Sequence, residues 1–322
     1  MKTRFALGVA AAALLSIGAP QARAAAGQNA ASEQAAAEAQ YKAQMAALQQ
    51  QVHPHSGTIA IPEAKAHLNL GKNYYFLPAA DAKRVLTEAW GNPPDATDSV
   101  LGIVFPAGKS FMDATWGAVI NYEDTGHVAD KDAASENYDS VLNDMKSAAE
   151  EENEDRKAAG YAGSHVVGWA QAPTYDSGRK TLIWARNIKF DDSSLNTLNY
   201  DVRTLGRTGV LSLNMVDTMP NLDVVRTAAT HLGSTVEFDQ GARYADYNAS
   251  TDKLADFGLA GLVAGGAGLA VAKKAGLLGL LAVFLKKGIA IAIALFAGVG
   301  AWVKRSLGRG NGEESEEGGY SG

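Results

Sequence analysis

Residues 181–216, TLIWARNIKFDDSSLNTLNYDVRTLGRTGVLSLNMV, contain runs of apolar and β-branched residues separated by short polar turns. The runs cover residues 181–190, 197–205 and 209–216. Short apolar runs of this composition predict strands, and the brief turn at Gly206-Arg207-Thr208 is typical of antiparallel neighbours. Residues 165–170 add one more strand before the turn Asp176-Ser177-Gly178. The stretch therefore predicts an antiparallel meander.

Strand and helix patterns alternate in blocks on both sides of this meander. Strands are predicted at residues 57–61, 66–70, 73–77, 100–105, 116–122 and 235–238. Helices are predicted at residues 78–90, 136–159 and 221–232, where apolar residues recur at helical spacing. Blocks of this kind, joined by hairpins, favour an α+β fold with one continuous sheet and packed helices over a doubly wound parallel sheet. We expect this domain to span residues 57–250.

The N-terminus has the pattern of a signal peptide over residues 1–24. Lys2 and Arg4 precede an apolar run at residues 5–19, and Ala22-Arg23-Ala24 forms an Ala-x-Ala cleavage site. We therefore expect export and cleavage after Ala24, which places the main domain outside the cytoplasm. The Ala/Gln-rich residues 25–56 then predict a helical linker, either a solvated helix or a flexible stalk.

The region at residues 257–303 is apolar and is interrupted by two lysine pairs, which predicts a membrane anchor. Its best span is residues 288–303, GIAIAIALFAGVGAWV, between Lys286-Lys287 and Lys304-Arg305. Sixteen residues rise about 24 Å as a helix, and snorkelling basic side chains can make up the difference from a hydrocarbon layer of about 30 Å. Residues 304–322 form a charged, Gly-rich tail that we expect to be disordered.

Residues 257–272 are a weaker candidate for a second membrane segment. Gly261 and Gly265 have the small-xxx-small spacing that lets helices approach closely in lipid. The segment could form one arm of a helical hairpin or lie on the membrane surface, and both alternatives remain open. The C-terminal helices could also join copies of the chain into a homo-oligomer.

Composition limits the classes of partner. The chain has 29 Lys and Arg residues against 35 Asp and Glu residues, for a net charge of −6. The predicted signal peptide carries three basic residues and no acid, so the mature chain has a net charge of −9. An acidic chain lacks the broad basic surface that nucleic-acid binding requires. No cysteine is present, which excludes disulfides, thiolate metal sites and cysteine nucleophiles.

The side chains that could support chemistry do not form a recognisable catalytic or metal-binding pattern. His53 and His55 lack a third ligand at suitable spacing, and Ser164 and His165 are adjacent on a predicted strand, so they point to opposite faces. The acidic residues cluster in two turns, at Asp124, Asp130 and Asp132 and at Asp191-Asp192. Aspartate is common in turns. We therefore assign no catalytic, cofactor-binding or metal-binding residue.

Aromatic and arginine side chains are the remaining candidates for a binding surface. The aromatic residues are Tyr74, Tyr75, Phe76, Trp90, Trp116, Trp169, Tyr175 and Trp184, most of which we expect in the core. A charged and aromatic patch is also conceivable from Arg203, Arg207, Trp169, Tyr200, Arg243, Tyr244 and Asp246. The alternative is that these residues form buried salt bridges that brace the sheet.

Several longer phrases resemble one family in the same order. They are FLPAADAKRVL at residues 76–86, WGNPP at 90–94, VGWA at 167–170, LNYDVRTLGR at 198–207 and RYADYN at 243–248, before TDK at 251–253. The chain resembles the bacterial family catalogued as domain of unknown function 2167, described as predicted membrane-anchored proteins. The resemblance implies export and anchoring in a bacterial membrane, with the inner membrane favoured. It implies no activity, ligand or catalytic residue.

Three functions are compatible with these patterns. The first is a non-enzymatic envelope module that is tethered to the lipid bilayer and binds another envelope or membrane protein. The second is an extracytoplasmic hydrolase that uses the acidic residues of the two turns as its carboxylates. The third is a regulatory oligomer assembled through the C-terminal helices.

Overall fold

The computed structural model describes residue 36 and residues 39–92, 94–131, 133 and 137–265. The predicted signal peptide, the span at residues 288–303 and the tail at residues 304–322 lie outside these residues. Within the described part of the chain, no helix is both long enough and apolar enough to cross a bilayer.

The chain divides into two units, Met1–Gln44 and Met45–Gly322. The described residues of the first unit, 36 and 39–44, are helical.

A nine-stranded antiparallel sheet is the centre of the second unit. Its strands are β1 (His55–Ile61), β2 (Ala66–Pro78), β3 (Gly102–Pro106), β4 (Gly117–Glu123), β5 (Ser164–Asp176), β6 (Thr181–Phe190), β7 (Thr197–Leu205), β8 (Val210–Thr218) and β9 (Val236–Phe238). The order is β1-β2-β3-β4-β8-β7-β6-β5, and β9 pairs with β2. The predicted meander is confirmed as β5 to β8, and the pairing of β4 with β8 joins both halves into the single sheet that we expected.

Strand β2 corrects the sequence interpretation, which had two separate strands at residues 66–70 and 73–77. The chain continues through Gly71, whose φ of 57° lies in the left-handed region, without reversing direction. The first part of β2 pairs with β1 and β9, and the last part pairs with β3. A local change of partner, and not a turn, explains the break in the apolar pattern.

Helix α1 (residues 39–51) begins in the first unit and ends in the second. The helices that cover the two faces of the sheet are α2 (Ala79–Arg84), α3 (Tyr138–Ala158), α4 (Leu222–Gly233) and α5 (Leu259–Ala264). A π-helical turn, Val85–Ala89, extends α2. The predicted helices at residues 78–90, 136–159 and 221–232 are thus confirmed, with small shifts of their ends.

Alternation along the strands assigns the helices to opposite faces. Leu198, Tyr200 and Val202 of β7 belong to a core that includes Val225 and Leu232 of α4. On the other face, Leu182, Trp184 and Leu205 pack with residues of α3 and α5, namely Met145, Leu259 and Leu262. The architecture is therefore an α+β sheet covered on both sides.

The folded core reaches past the predicted limits of residues 57–250. Met45 and Leu48, in the expected linker, are only 1% and 2% exposed, so this part of the linker is not a solvated stalk. At the other end, Leu259, Leu262 and Val263 are buried although they lie in the predicted anchor region. Burial in a protein core and burial in lipid both favour apolar side chains, which explains why the stretch at residues 259–263 resembles a membrane segment.

Asn153 attaches α3 to the edge strand β5. Its side-chain Nδ2 donates to the carbonyl of Ser164 at 3.0 Å, and its Oδ1 accepts from the Ser164 N–H at 2.7 Å. Asn153 is 5% exposed. The amide side chain therefore takes the place of a strand neighbour and satisfies two backbone groups that are shielded from water.

Replacing Asn153 should leave both of these backbone groups without partners. We expect Asn153→Ala to lower the free energy of unfolding by about 1–3 kcal/mol, because unsatisfied buried groups carry a desolvation penalty. Urea denaturation of the mature chain measures this change. Glu154→Ala, at the next and exposed position, should stay within about 0.5 kcal/mol of the wild type. Equal effects of the two substitutions would contradict this role of Asn153.

Candidate functional site

The proposed charged and aromatic patch is divided by the fold. Arg207, Arg243, Tyr244 and Asp246 come together, because Arg207 N–H donates to the Ala242 carbonyl and Asp246 accepts from Arg243 N–H. Trp169 packs instead with the α3 and α5 core. Tyr200 lies on the α4 face, and Arg203 lies on the opposite face.

Arg203 forms a partly buried salt bridge, which is close to the alternative that we considered. Its Nη1 lies 2.7 Å from Glu123 Oε1, and its guanidinium carbon lies 5.2 Å from the centre of the Trp184 ring. Beside it, Arg186 Nη2 donates to Asp201 Oδ2 at 3.1 Å. Burial lowers the pKa of Arg186, and the Asp201 carboxylate opposes that effect. No local pattern singled out Arg186, which lies inside an apolar strand.

The residues that do converge form what we call the C-terminal clamp: His127, Arg207, Tyr244, Tyr247 and Asp252. The His127 ring stacks on Tyr247 at 3.9 Å and 14°, and lies 4.2 Å from the Tyr244 ring at 33°. Arg207 forms two parallel hydrogen bonds with Asp252, at 2.8 and 2.9 Å. This paired geometry is the strongest arrangement available to arginine and a carboxylate.

Backbone hydrogen bonds complete the clamp. His127 N–H donates to the Lys253 carbonyl at 2.8 Å, and Ala255 N–H donates to the His127 carbonyl at 2.9 Å. Gly126 precedes His127 with a φ of 89°, and a Cβ there would lie 2.7 Å from the Lys253 carbonyl oxygen. Only glycine suits this approach. The clamp therefore fixes the segment that leads into α5 against the turn between β7 and β8.

Protonation within the clamp is set by its contacts. Burial lowers the pKa of His127, and its Nδ1 lies 3.2 Å from the Arg207 carbonyl, which can only accept. At neutral pH the uncharged ring is therefore favoured, and the carbonyl requires that its proton be on Nδ1. The hydrogen bonds from Arg207, followed by the N–H of Asn248, hold the pKa of Asp252 well below its usual value. These groups bind each other, which makes the clamp a structural connection.

In the first acidic cluster, Asp130 is likewise engaged in hydrogen bonds within the domain. Asp130 Oδ2 accepts from Lys180 Nζ at 2.8 Å and from the Tyr175 hydroxyl at 2.7 Å. Burial acts to raise the pKa of Asp130, but the hydrogen bonds from Lys180 and Tyr175 outweigh it and lower the pKa. Asp124 is exposed, and Asp132 lies outside the described residues. Asp130 therefore serves as the partner of a lysine.

The two acidic clusters lie at opposite ends of β6. Lys180, which binds Asp130, precedes this ten-residue strand, and Asp191 follows it. Ten strand residues extend about 30 Å, whereas paired catalytic carboxylates of glycosidases lie about 5–10 Å apart. The two turns hence cannot supply the two halves of one carboxylate pair.

The histidine and serine candidates also bind other residues of the domain and do not face each other. His53 binds Asp81 through both its backbone N–H and its ring, at 2.7 and 3.1 Å. Ser164 binds Asn153, whereas the ring of His165 contacts two carboxylates. Among the described residues, no group of three side chains has the arrangement of a metal site.

An open groove lies between β2 and α4. It has a volume of about 670 Å³ and is mostly apolar. Its lining consists of Asn73 and Tyr74 of β2 and of Asp223, Val224, Thr227, Ala228 and His231 of α4. The helical residues recur at intervals of four and so share one face of α4. The groove is a candidate surface for another molecule.

Tyr74 and Val224 are the two lining residues that make the groove suitable for an apolar partner. Tyr74 OH lies 2.9 Å from His231 Nδ1, and its ring lies 5.8 Å from that of Trp116, which fixes the floor. Val224 is 62% exposed, although it neighbours the buried Val225. Of the aromatic candidates, Tyr74 lines the groove, whereas Trp90, Trp116 and Trp184 are buried as expected. This surface was not identified from the sequence, and its one local signal is an apolar residue, Val224, on the exposed side of α4.

Comparisons with known proteins identify a matching family and a similar solved structure. A family model described as Protein of unknown function (DUF2167) matches residues 53–297. No curated protein matches the chain significantly. Among solved structures, the chain matches the solution structure of cyanobacterial PsbP (CyanoP) from Synechocystis sp. PCC 6803. The identity is 8% over 58% of this chain and 92% of that chain, with a TM-score of 0.33, which carries no argument about function.

The clamp predicts a specific acid response. The lowered pKa of Asp252 means that its stabilising contribution is present above its unfolded pKa and is lost as the pH falls towards its folded pKa. Asp252→Asn should therefore be less stable than the wild type at pH 7 and should lose less stability below about pH 5. Denaturation midpoints measured over a pH series test this.

Asp98→Asn is the control, because Asp98 is exposed and its replacement should leave the wild-type pH profile unchanged. If Asp252→Asn and the wild type lost stability in parallel on acidification, the Arg207–Asp252 pair would not be responsible for the acid response.

Proposed function

The chain belongs to the family described as Protein of unknown function (DUF2167), and from that premise we propose that it is a non-enzymatic binding module of the bacterial envelope. In this proposal the C-terminal apolar region holds the chain in the membrane, and the sheet domain lies outside the cytoplasm. The domain binds another envelope protein through the groove between β2 and α4.

The groove is the observation that carries this proposal. Val224 is the most exposed of the large apolar side chains in the described residues, and it lines the same groove as Tyr74. Exposed apolar surface bordered by polar groups is typical of interaction sites. Asp223 at the rim has a side chain that is 91% exposed, and its Oδ1 accepts from Arg226 Nη1 of the same helix at 2.6 Å. We infer a partner segment with aliphatic side chains for the groove.

The hydrolase alternative has less support. It relied on the acidic turns, but Asp130 binds Lys180, and Asp191 lies near Lys157 at 3.6 Å. A general acid and base must face one reacting bond. The two clusters at opposite ends of β6 do not meet that requirement.

The oligomer alternative relied on Gly261 and Gly265. Gly261 lies inside α5, but Gly265 caps its end with a φ of 136°. Close packing through small-xxx-small spacing requires both residues on one continuous helix. Within the described residues the helix ends at Ala264, so the binding module is favoured over the oligomer.

Photocrosslinking in membranes tests the groove. A photoreactive residue at position 224 should give one discrete adduct with a partner protein, and Thr227→Arg in the same chain should reduce that adduct about tenfold. The reason is that a bulky charge in the groove should cost at least about 1.4 kcal/mol of binding.

The matched control is position 167. Val167 is also exposed, at 48%, but it lies on β5 and outside the groove, so it should give no such adduct. Identical adducts from both positions, or an adduct at 224 that Thr227→Arg leaves unchanged, would contradict a specific site. An adduct of twice the mass of the chain would favour the oligomer instead.

The proposed anchor can be tested separately. Ile293→Lys combined with Leu295→Lys places two charges in the middle of residues 288–303. Each lysine at a helix centre costs about 3 kcal/mol of insertion, so alkaline extraction should release the variant and retain the wild type. Ser306→Lys, outside the span, is the control. Release of all three chains to the same extent would exclude residues 288–303 as the anchor.

A further inference from the structure

His165 occupies an unusual position between α3 and the end of β6. Its Nδ1 lies 2.7 Å from Glu150 Oε1, and its Nε2 lies 3.0 Å from Asp191 Oδ1. An ionised carboxylate can only accept hydrogen bonds. Both ring nitrogens must therefore donate, and this geometry requires the doubly protonated imidazolium.

The other charged groups around His165 bind partners of their own. Lys157 of α3 lies 3.6 Å from the other oxygen of Asp191. Lys189 of β6 is the cross-strand neighbour of His165, but its Nζ donates to the Ser193 carbonyl. The two nitrogens of the ring point to separate carboxylates on opposite sides, so these residues do not converge on a point that a metal ion could occupy.

The carboxylates favour the charged ring. The hydrogen bond with Glu150, followed by that with Asp191, raises the pKa of His165. A raised pKa means that the stabilising contribution is complete below the unfolded pKa, about 6.5, and disappears as the pH rises through the folded pKa. Loss of the proton also leaves at least one carboxylate facing a ring nitrogen that cannot donate.

We propose that His165 is a pH-operated latch, which tightens the attachment of α3 to the sheet around Glu150 while the ring is protonated and loosens it when the proton is lost. The latch acts next to contacts that do not titrate near neutral pH, such as the pair of hydrogen bonds between Asn153 and Ser164. Release is therefore a local opening and not global unfolding.

The opening reaches the segment that leads into the C-terminal region. Met145 of α3 packs in the same core as Leu259 and Leu262 of α5. A looser α3 weakens the cover over α5. The latch thereby couples the pH around the domain to the attachment of the chain just before its C-terminal apolar region.

Hydrogen exchange of the mature full-length chain tests the latch. Amide protection factors in α3 and α5, corrected for the intrinsic pH dependence of exchange, should fall as the pH rises through the pKa of His165. The fall should be about tenfold for each unit by which the latched pKa exceeds the released one. Histidine NMR of the same sample gives the titration of the ring, and the two midpoints should coincide.

Two variants make the result specific. His165→Gln should show low protection in α3 that no longer depends on pH. His67→Gln is the matched control, because His67 also lies near two carboxylates, Glu237 at 3.4 Å and Asp239 at 3.2 Å, but at the junction of β2 and β9. It should leave the protection of α3 unchanged.

The latch would be overturned by constant α3 protection across the titration of His165, since the ring would then be a surface ion pair only. A pH-dependent loss of protection that persists in His165→Gln would overturn it equally. If His165→Gln folds poorly, the double variant Glu150→Gln and Asp191→Asn provides the same test. It removes both negative charges that favour the imidazolium, and should therefore lower the pKa of His165 and abolish the pH dependence.

Discussion

Strand β7 is hydrogen-bonded along both edges and buried on both faces, and the other elements of the fold depend on this double burial. One face carries Tyr200 under α4, whereas the other carries Asp201. A buried carboxylate is costly unless it is paired. Arg186 on β6 and Asn214 on β8 provide the partners, at 3.1 and 2.9 Å. The three central strands are therefore held in register by polar contacts as well as by apolar packing.

Because the centre of the sheet is fully occupied, the features open to other molecules or to solvent lie at its margins. The groove of Tyr74 and Val224 lies between β2 and α4. The His165 contacts lie where α3 meets the end of β6, and the C-terminal clamp lies at the turn between β7 and β8. Each margin joins elements that are distant in sequence. Substitutions there can change binding or local opening while the central strands stay intact.

The strands and helices could be predicted from local pattern, but their side-chain partners could not. Alternation located β6, β7 and β8, and helical spacing located α4 through Val225 and Leu232. No local signal joined His127 to Tyr247 or Glu150 to His165, because these contacts depend on the path of the loops. The patch of arginine and aromatic residues was divided for the same reason. Tyr200 and Arg203 belong to one sequence motif, but they point to opposite faces of the sheet.

By itself, the amino-acid sequence determined the α+β class, the antiparallel meander and the family, because strand periodicity, turn residues and ordered motifs are local properties. Only the tertiary structure decided that Met45 and Leu259 belong to the core and that Asp130 and Asp191 are far apart. It also decided which carboxylates face His165. Burial and charge pairing depend on distances through space, and these are set when the sheet and its helices pack together.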